Sequence, residues 1–167
     1  ALRKKAVLLA PTGRAAKVIT YYSGRKALTI HKKIYRKKSA VSFQLDFTLA
    51  ENLHEDTLFI IDEASMISNA PVNAFSGSLL DDLIRYVQSG KNCTLLFVGD
   101  TAQLPPVGLI DSPALNPSYL ESEFHLCVYP YELTSVVRQS KDSGILYNAT
   151  KIREEITSAE EDQDDFP

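Results

Sequence analysis

The sequence has no tryptophan, one methionine and two cysteines among its 167 residues. Cys93 and Cys127 lie in apolar stretches without metal-ligand spacing, so we expect reduced core thiols rather than a disulfide or a zinc site. No apolar run approaches the roughly 18 residues that a transmembrane helix needs, and the apolar part of the first ten residues is too short for a signal peptide. These absences predict a cytoplasmic globular protein with no membrane partner.

Acidic residues are missing from the first 45 positions, while twelve of the 18 lysines and arginines fall between positions 3 and 38. A run of like charge is usually a solvated face. This one, interleaved with Tyr21, Tyr22 and Tyr35, also suits a phosphate backbone and stacked bases. At the opposite end, seven acids between positions 154 and 165 predict that residues 157–167 form an acidic, disordered tail.

Short apolar runs alternate with helical patterns along the chain. Residues 6–10 predict a short buried strand, and residues 57–61 and 93–98 predict parallel strands buried on both faces. Residues 124–129 predict a further strand. Amphipathic spacing predicts helices over 14–22, 79–87 and 143–156, and residues 41–47 alternate as a half-exposed strand does. The fold class predicted is α/β, with a parallel sheet and helices on both faces.

Polar side chains follow the predicted strands at their carboxyl ends, where parallel sheets place ligands. Asp62 and Glu63 end one strand and Asp100 follows the next. A hard Mg²⁺ ion prefers carboxylate oxygen, and a neighbouring carboxylate can orient or deprotonate a water molecule. The simpler alternative is two solvated acids that cap a strand.

Five blocks occur in one order along the chain: Leu9–Lys17, Thr29–His31, Asp62–Met66, Gly99–Gly108 and Val137–Ser140. In this order and spacing the chain resembles the RecD/TraA-like superfamily 1 DNA helicases, and specifically their first RecA-like motor domain. The resemblance spans residues 6–156, and its most specific piece is the Gly-Asp-x-x-Gln-Leu-Pro-Pro-Val-Gly string. It implies a motor domain over residues 1–156 and an ATP-dependent enzyme, of which this piece alone is expected to be inactive.

The resemblance implies roles for five residues around Mg²⁺ and ATP. Asp62 corresponds to the acid that holds Mg²⁺, and Glu63 to the base that positions the attacking water. Asp100 and Gln103 correspond to the coupling motif, in which the glutamine senses the γ-phosphate, and Arg138 to an arginine that contacts it. The alternatives are a loop amide bonded to nearby backbone for Gln103 and a surface salt bridge for Arg138.

A second set of residues matches the blocks that touch single-stranded DNA in this family. Pro11, Thr12, Arg14 and Lys17 form the first block, and Thr29 and His31 belong to the second. Contacts from hydroxyl and cationic groups to phosphates carry no sequence information, as a translocating motor requires. The plain alternatives are a helix-capping Thr12 and a stacked or core His31.

The chain departs from the family pattern in three ways. None of its seven glycines belongs to a Gly-x-x-x-x-Gly-Lys phosphate loop, so Ala1 resembles a start just after that loop. No second RecA-like domain follows, so the partners expected in cis are that domain and the missing loop. The coupling block also lacks a tryptophan, so base stacking there is not expected.

Two other functions remain open from the sequence. The chain could be a nucleic-acid-binding module that kept the motor fold without its phosphate loop, or a related nucleotide hydrolase that acts on RNA. A monomer is the expected oligomeric state.

Overall fold

The computed structural model describes residues 4–37, 47–71, 77–133, 148 and 150–152. The chain divides into two compact units, Ala1–Val128 and Tyr129–Pro167. In the second unit, residues 129–133 have no regular secondary structure, and residues 148 and 150–152 are helical. The predicted motor domain over 1–156 and the predicted tail over 157–167 stay predictions, and the tail lies outside the described residues.

The first unit alternates strands and helices in chain order. Its elements are β1 (Lys5–Ala10), α1 (Gly13–Ser23), β2 (Ala27–Thr29), α2 (Ile30–Ile34), β3 (Tyr35–Lys37), β4 (Phe47–Leu49), β5 (Thr57–Ile61), α3 (Leu79–Gln88), β6 (Thr94–Phe97) and α4 (Pro117–Phe124). Short 3₁₀ helices cover Ala64–Met66 and Pro113–Leu115. Of the predicted half-exposed strand over 41–47, only its last residue is described, as the first residue of β4.

Four strands form a parallel sheet in the order β2-β1-β5-β6. Strands β3 and β4 pair separately as an antiparallel ribbon. Because successive side chains of a strand point to opposite faces, neighbouring residues of β1 enter different cores. Leu9 joins the larger core with α2, α3 and α4, whereas Ala10 joins a small core with Ala16 of α1 and Ala27. The α/β prediction with helices on both faces is therefore confirmed.

Helix α3 illustrates how the sequence specifies its elements. Ser78 and Asp81 form a capping box at its start, with both hydrogen bonds at 3.0 Å. The apolar stripe predicted over 79–87 is buried at Leu80, Leu83 and Val87. At its other end, buried Asn52 donates from Nδ2 to the Tyr86 carbonyl at 2.8 Å. Helix α3 thus packs its apolar side into the larger core.

Two strand predictions were wrong in part or in whole. Strand β6 is not buried on both faces, since Leu96 is 45% exposed and Thr94 is exposed. The reason is that α1 covers the sheet mainly over β1 and β2 in the described part of the chain. Residues 124–129 do not form a strand, because Phe124 ends α4 and the rest is irregular. Cys127 is exposed and Cys93 half-buried, so neither is a fully buried core thiol.

Among the residues that the structure describes, no helix is both long and apolar enough to cross a membrane.

Candidate functional site

One edge of the parallel sheet carries the chain segments that the sequence singled out. The strands are aligned so that Leu9 lies opposite Ile61, Ile61 opposite Phe97, and Ala10 opposite Thr29. The residues that follow β1, β5 and β6, and those at the end of β2, therefore all emerge on the same edge. At about 4.8 Å per strand, three spacings separate β2 from β6 by roughly 14 Å.

The turn after β5 is held from both neighbouring strands. Asp62 donates its backbone N–H to Leu9 O at 3.0 Å, which continues the pairing with β1 by one residue. Ala64 donates to Val98 O at 2.9 Å, on the side of β6. Both carboxylate residues of this turn, Asp62 and Glu63, are half-buried. The turn is thus fixed at its backbone while both acidic side chains keep access to solvent.

Glu63 has a left-handed backbone, with φ 54° and ψ 39°. A non-glycine residue held in such a region costs on the order of 1–3 kcal/mol and persists only where its surroundings impose it. Here the backbone N–H of Met66 donates to Glu63 O at 3.1 Å, which begins the 3₁₀ helix that follows. Strain of this kind is concentrated at functional sites.

Gly99 allows the end of β6 to approach this turn closely. A Cβ atom at Gly99 would lie 3.0 Å from the Ser65 backbone nitrogen, 3.3 Å from that of Ala64, and 2.8 Å from Leu115 Cδ1. Any side chain at this position would therefore press on the turn that carries Glu63. Ser112 stabilises the same turn, because its hydroxyl donates a hydrogen bond to Ser65 O at 3.1 Å.

Asp100 and Gln103 lie in the loop that follows β6. The Asp100 carboxylate accepts the Ala102 N–H at 3.0 Å, and the Gln103 N–H donates to Asp100 O at 3.1 Å. The backbone of Gln103 is therefore fixed in a turn, whereas its side chain is exposed. An exposed amide at this edge is available to a ligand.

Thr12 and Thr29 are the N-cap residues of α1 and α2, the helices that follow β1 and β2 at this edge. Thr12 Oγ1 accepts the Ala15 N–H, and Thr29 Oγ1 accepts the Lys32 N–H, both at 3.2 Å. The capping alternative for Thr12 is therefore what the structure shows. It does not exclude a phosphate contact, since a capping hydroxyl still has its own O–H to donate.

The other predicted nucleic-acid residues lie close to these two threonines in the sequence. Arg14, Lys17 and His31 are exposed, and Pro11 is half-buried. The His31 ring lies 5.7 Å from the Tyr35 ring at an interplanar angle of 47°, so the two rings are tilted rather than stacked, and the exposed His31 is not a core residue. A groove of about 270 Å³ lies between α1 and the β2–α2 segment, and its lining includes Lys17, Thr29 and Lys32.

The predicted site residues thus fall into two groups on one edge. Asp62, Glu63, Asp100 and Gln103 lie at β5 and β6, whereas the predicted nucleic-acid set lies at β1 and β2. Arg138 lies outside the described residues. No cluster of three or more metal-ligating side chains occurs in the described part of the chain. A single carboxylate can still serve, because Mg²⁺ commonly takes one or two carboxylates together with phosphate oxygens and water.

Several supporting residues were not identified from the sequence. Gly99 begins the Gly99–Gly108 block, but no local pattern reveals its close approach to the backbone of Ala64 and Ser65. The role of Ser112 depends on a contact across 47 positions that no local pattern reveals either. Lys32 could have been identified from the sequence as a candidate binding residue, since it lies in the cationic run three residues after Thr29. Thr20 links α1 to β2 by accepting the Ala27 N–H at 2.9 Å.

Comparison with known proteins agrees with this architecture. A family model described as an AAA domain matches residues 1–109, well over half of the chain. The chain belongs to this AAA domain family. The match includes β1 to β6 and both groups of candidate residues, apart from Arg138.

Two relatives of this AAA domain give further context. The ATP-dependent DNA helicase dda of Enterobacteria phage T4 is 29% identical over 152 residues, which cover 88% of this chain and 30% of the helicase. An uncharacterized protein of Methanocaldococcus jannaschii is 31% identical over 113 residues, which cover 62% of this chain and 9% of that protein. The chain thus spans less than a third of either relative. These matches support a superfamily 1 helicase-like domain of the P-loop class.

Proposed function

We propose that this chain is part of the first motor domain of a RecD/TraA-like DNA helicase, in which ATP hydrolysis drives movement along single-stranded DNA. The observation that carries the proposal is the shared sheet edge, on which two carboxylates and a cationic, hydroxyl-bearing surface emerge from adjacent strands. In this arrangement the nucleotide lies over β5 and β6, and the strand of DNA lies over β1 and β2. The similarity to the phage helicase supports the same activity.

The residues at β5 and β6 suit phosphoryl transfer from ATP with Mg²⁺ as cofactor. In our proposal the Asp62 carboxylate binds the ion, and the fixed turn directs Glu63 toward the attacking water. Asp100 and Gln103 contact the nucleotide from the next loop, and Arg138 stabilises charge on the γ-phosphate. A phosphate loop and a second RecA-like domain, supplied in cis by a longer protein, complete the cleft. Without them the chain binds ATP weakly.

The proposed nucleotide site is tested in a longer protein that contains this chain together with the phosphate loop and the second RecA-like domain. Glu63→Gln should retain ATP and Mg²⁺ binding and lose about 100-fold or more of its turnover, because the amide keeps the shape but cannot act as a base. Glu121→Gln, at an exposed position of α4, is the matched control and should hydrolyse ATP normally. Turnover at the wild-type rate in Glu63→Gln would refute the assigned role.

The experiment for the nucleic-acid half uses the 167-residue chain itself. Single-stranded DNA should bind at low salt and dissociate as salt rises, with contributions from Pro11, Thr12, Arg14, Lys17, Thr29 and His31. Lys17→Ala should reduce the slope of log affinity against log salt by about 0.7, as expected for one phosphate contact on a single strand. Lys91→Ala, at an exposed position, should leave the slope unchanged. If the chain does not bind single-stranded DNA at low salt, or if its affinity does not change with salt concentration, the proposed nucleic-acid binding is contradicted.

A nucleic-acid-binding module without motor activity is the second candidate. The groove that includes Lys17, Thr29 and Lys32 favours it, because this feature needs no nucleotide. DNA-stimulated ATP hydrolysis by the longer protein would exclude the module, and stimulation by RNA alone would indicate an RNA-acting enzyme.

A further inference from the structure

Helix α1 presents a continuous exposed stripe that the proposed DNA contacts use only in part. Residues three and four apart lie on the same side of a helix. Arg14, Lys17, Val18 and Tyr21 follow this spacing, Tyr22 lies beside Tyr21, and all five are exposed. The stripe is cationic near the sheet edge and aromatic at the far end of the helix.

Tyr21 and Tyr22 are 83% and 81% exposed. Their ring centroids lie 5.3 Å apart at an interplanar angle of 85°, so the two rings meet edge to face. This geometry, with so much of each side chain exposed, leaves broad aromatic faces open to solvent. Val18, 48% exposed, extends the apolar surface toward Lys17. Adjacent exposed apolar groups of this kind mark interaction sites more often than isolated ones do.

The charge around the tyrosines indicates the chemistry of the partner. Arg25 and Lys26 follow α1 and are exposed, and no acidic residue occurs anywhere in the first 45 positions. An anionic partner is therefore attracted along the whole length of the stripe, and nothing on this segment repels it. A polyanion that also carries flat aromatic groups would satisfy both ends of the stripe.

We infer that Tyr21 and Tyr22 form a stacking platform for the bases of single-stranded nucleic acid, whose phosphates are held by Arg14 and Lys17. This inference rests on the proposed function and extends its binding surface along α1, away from the sheet edge. Arg14 and Tyr22 are eight residues apart, which is about 12 Å along a helix axis. Base stacking on aromatic side chains tolerates any sequence, as does the proposed phosphate binding.

The first test uses fluorescence, for which this chain is well suited because it has no tryptophan. Tyr22→Trp introduces a single reporter in the platform, and Tyr131→Trp introduces one at a tyrosine that is 88% exposed outside the stripe. Titration with an oligothymidine strand at low salt should quench the Trp at position 22 and leave the Trp at position 131 unchanged. The inference would be overturned if the strand quenches the two Trp reporters equally, or if the strand binds and quenches neither of them.

The second test measures affinity by anisotropy of a labelled oligothymidine. Tyr21→Ala and Tyr22→Ala should each weaken binding by about fivefold or more. Tyr21→Phe and Tyr131→Ala should bind as the wild type does, because the first keeps the ring and Tyr131 is not part of the stripe. The salt slope should stay the same in all four variants, since no phosphate contact is lost.

A matched strand with abasic sites separates stacking from charge. The wild-type chain should bind this strand about as weakly as Tyr22→Ala binds oligothymidine. If the wild type binds both strands equally and the tyrosine variants change nothing, the platform is refuted while the proposed DNA binding stands. If the chain binds no strand at low salt, the proposed nucleic-acid function and the platform both fail. If Tyr22→Ala weakens the binding of polyglutamate as much as it weakens the binding of oligothymidine, the partner is an acidic protein, and this result would also overturn the inference.

Discussion

Gly99 offers the sharpest test of how the fold holds the turn that carries Asp62 and Glu63. A methyl group at this position would lie 2.8 Å from Leu115 Cδ1, whereas carbon atoms in contact prefer about 3.5–4.0 Å. Leu115 is half-buried and its side-chain end can move away. The contacts at 3.0 and 3.3 Å to the backbone nitrogens of Ser65 and Ala64 cannot be relieved in this way.

The backbone has little freedom because the Ala64 N–H is bonded to Val98 O at 2.9 Å. Gly99→Ala must therefore move the turn by a few tenths of an ångström or strain the end of β6. Inserting a methyl group into packed structure costs about 1–3 kcal/mol. We expect the free energy of unfolding to fall by this amount.

The assay is urea unfolding of the 167-residue chain, followed by circular dichroism. Gly99→Ala should lower the midpoint without changing the slope, which would show an effect on stability alone. The amide resonances of Ala64 and Ser65 should shift in the ¹H–¹⁵N spectrum. In the longer protein the same variant should reduce ATP turnover more than ATP binding, because the displaced backbone of Ala64 and Ser65 directly follows Glu63.

Gly13→Ala is the matched control. An added Cβ there meets nothing within 4 Å, and Gly13 is the first residue of α1. Alanine should therefore stabilise the chain by about 0.4–1 kcal/mol by restricting the unfolded state. The reasoning about Gly99 is refuted if Gly99→Ala unfolds with the wild-type free energy and leaves both amide resonances in place.

Three further changes test contacts in other parts of the first unit. Asn52→Asp should cost about 1–3 kcal/mol in urea unfolding, because a carboxylate cannot donate to the Tyr86 carbonyl from a position that is 7% exposed. Burial and two nearby lysines lower the pKa of His54 from 6.5. Its protonation therefore opposes folding, so stability should be full above pH 6.5 and fall below it, and His54→Gln should flatten that fall in melting temperature. Thr20→Val should cost about 1–2 kcal/mol in urea unfolding, because the Ala27 N–H loses its acceptor.

Each of these changes has its own control. The side-chain oxygen of Asn116 accepts the Tyr119 N–H at 3.0 Å, and a carboxylate can accept the same hydrogen bond, so Asn116→Asp should be tolerated where Asn52→Asp is not. Thr20→Ser keeps the hydroxyl and should remain close to the wild type. An unchanged unfolding free energy in Asn52→Asp or Thr20→Val, or an unchanged pH profile in His54→Gln, would contradict the corresponding contact.

The elements with strong local signals were predicted well from the sequence. The apolar run at 57–61 and the amphipathic spacing at 79–87 coincide with β5 and α3, and the threonines at 12 and 29 begin helices. These features depend on hydrogen bonds and packing patterns within a few residues, so a local pattern is sufficient to identify them. Helix α4 also had such a signal, since Asn116 followed by Pro117 is a typical helix start, but it was not recognised.

The wrong strand at 124–129 shows the limit of such patterns. Phe124, Leu126 and Val128 alternate with exposed residues and pack against the larger core, which gives the period of two that a strand has. A strand also needs a neighbour to pair with, and pairing depends on distant parts of the chain. His125, whose φ of 52° places it in the left-handed region, follows the last residue of α4. Period two therefore indicated one-sided packing of an extended segment and not membership of a sheet.

The candidate site shows the same division between local and distant information. The residue types at each strand end are visible in the sequence, and a parallel sheet necessarily gathers those ends on one edge. The sequence does not reveal which ends are neighbours. The order β2-β1-β5-β6 places β1, which carries one group, beside β5, which carries the other, and the Asp62 N–H donates directly to Leu9 O, two residues before Pro11. A shift of the Asp62–Glu63 turn would therefore act on the backbone of β1 first, within three residues of the proposed DNA contacts. This arrangement supports the proposal that ATP hydrolysis drives movement along single-stranded DNA.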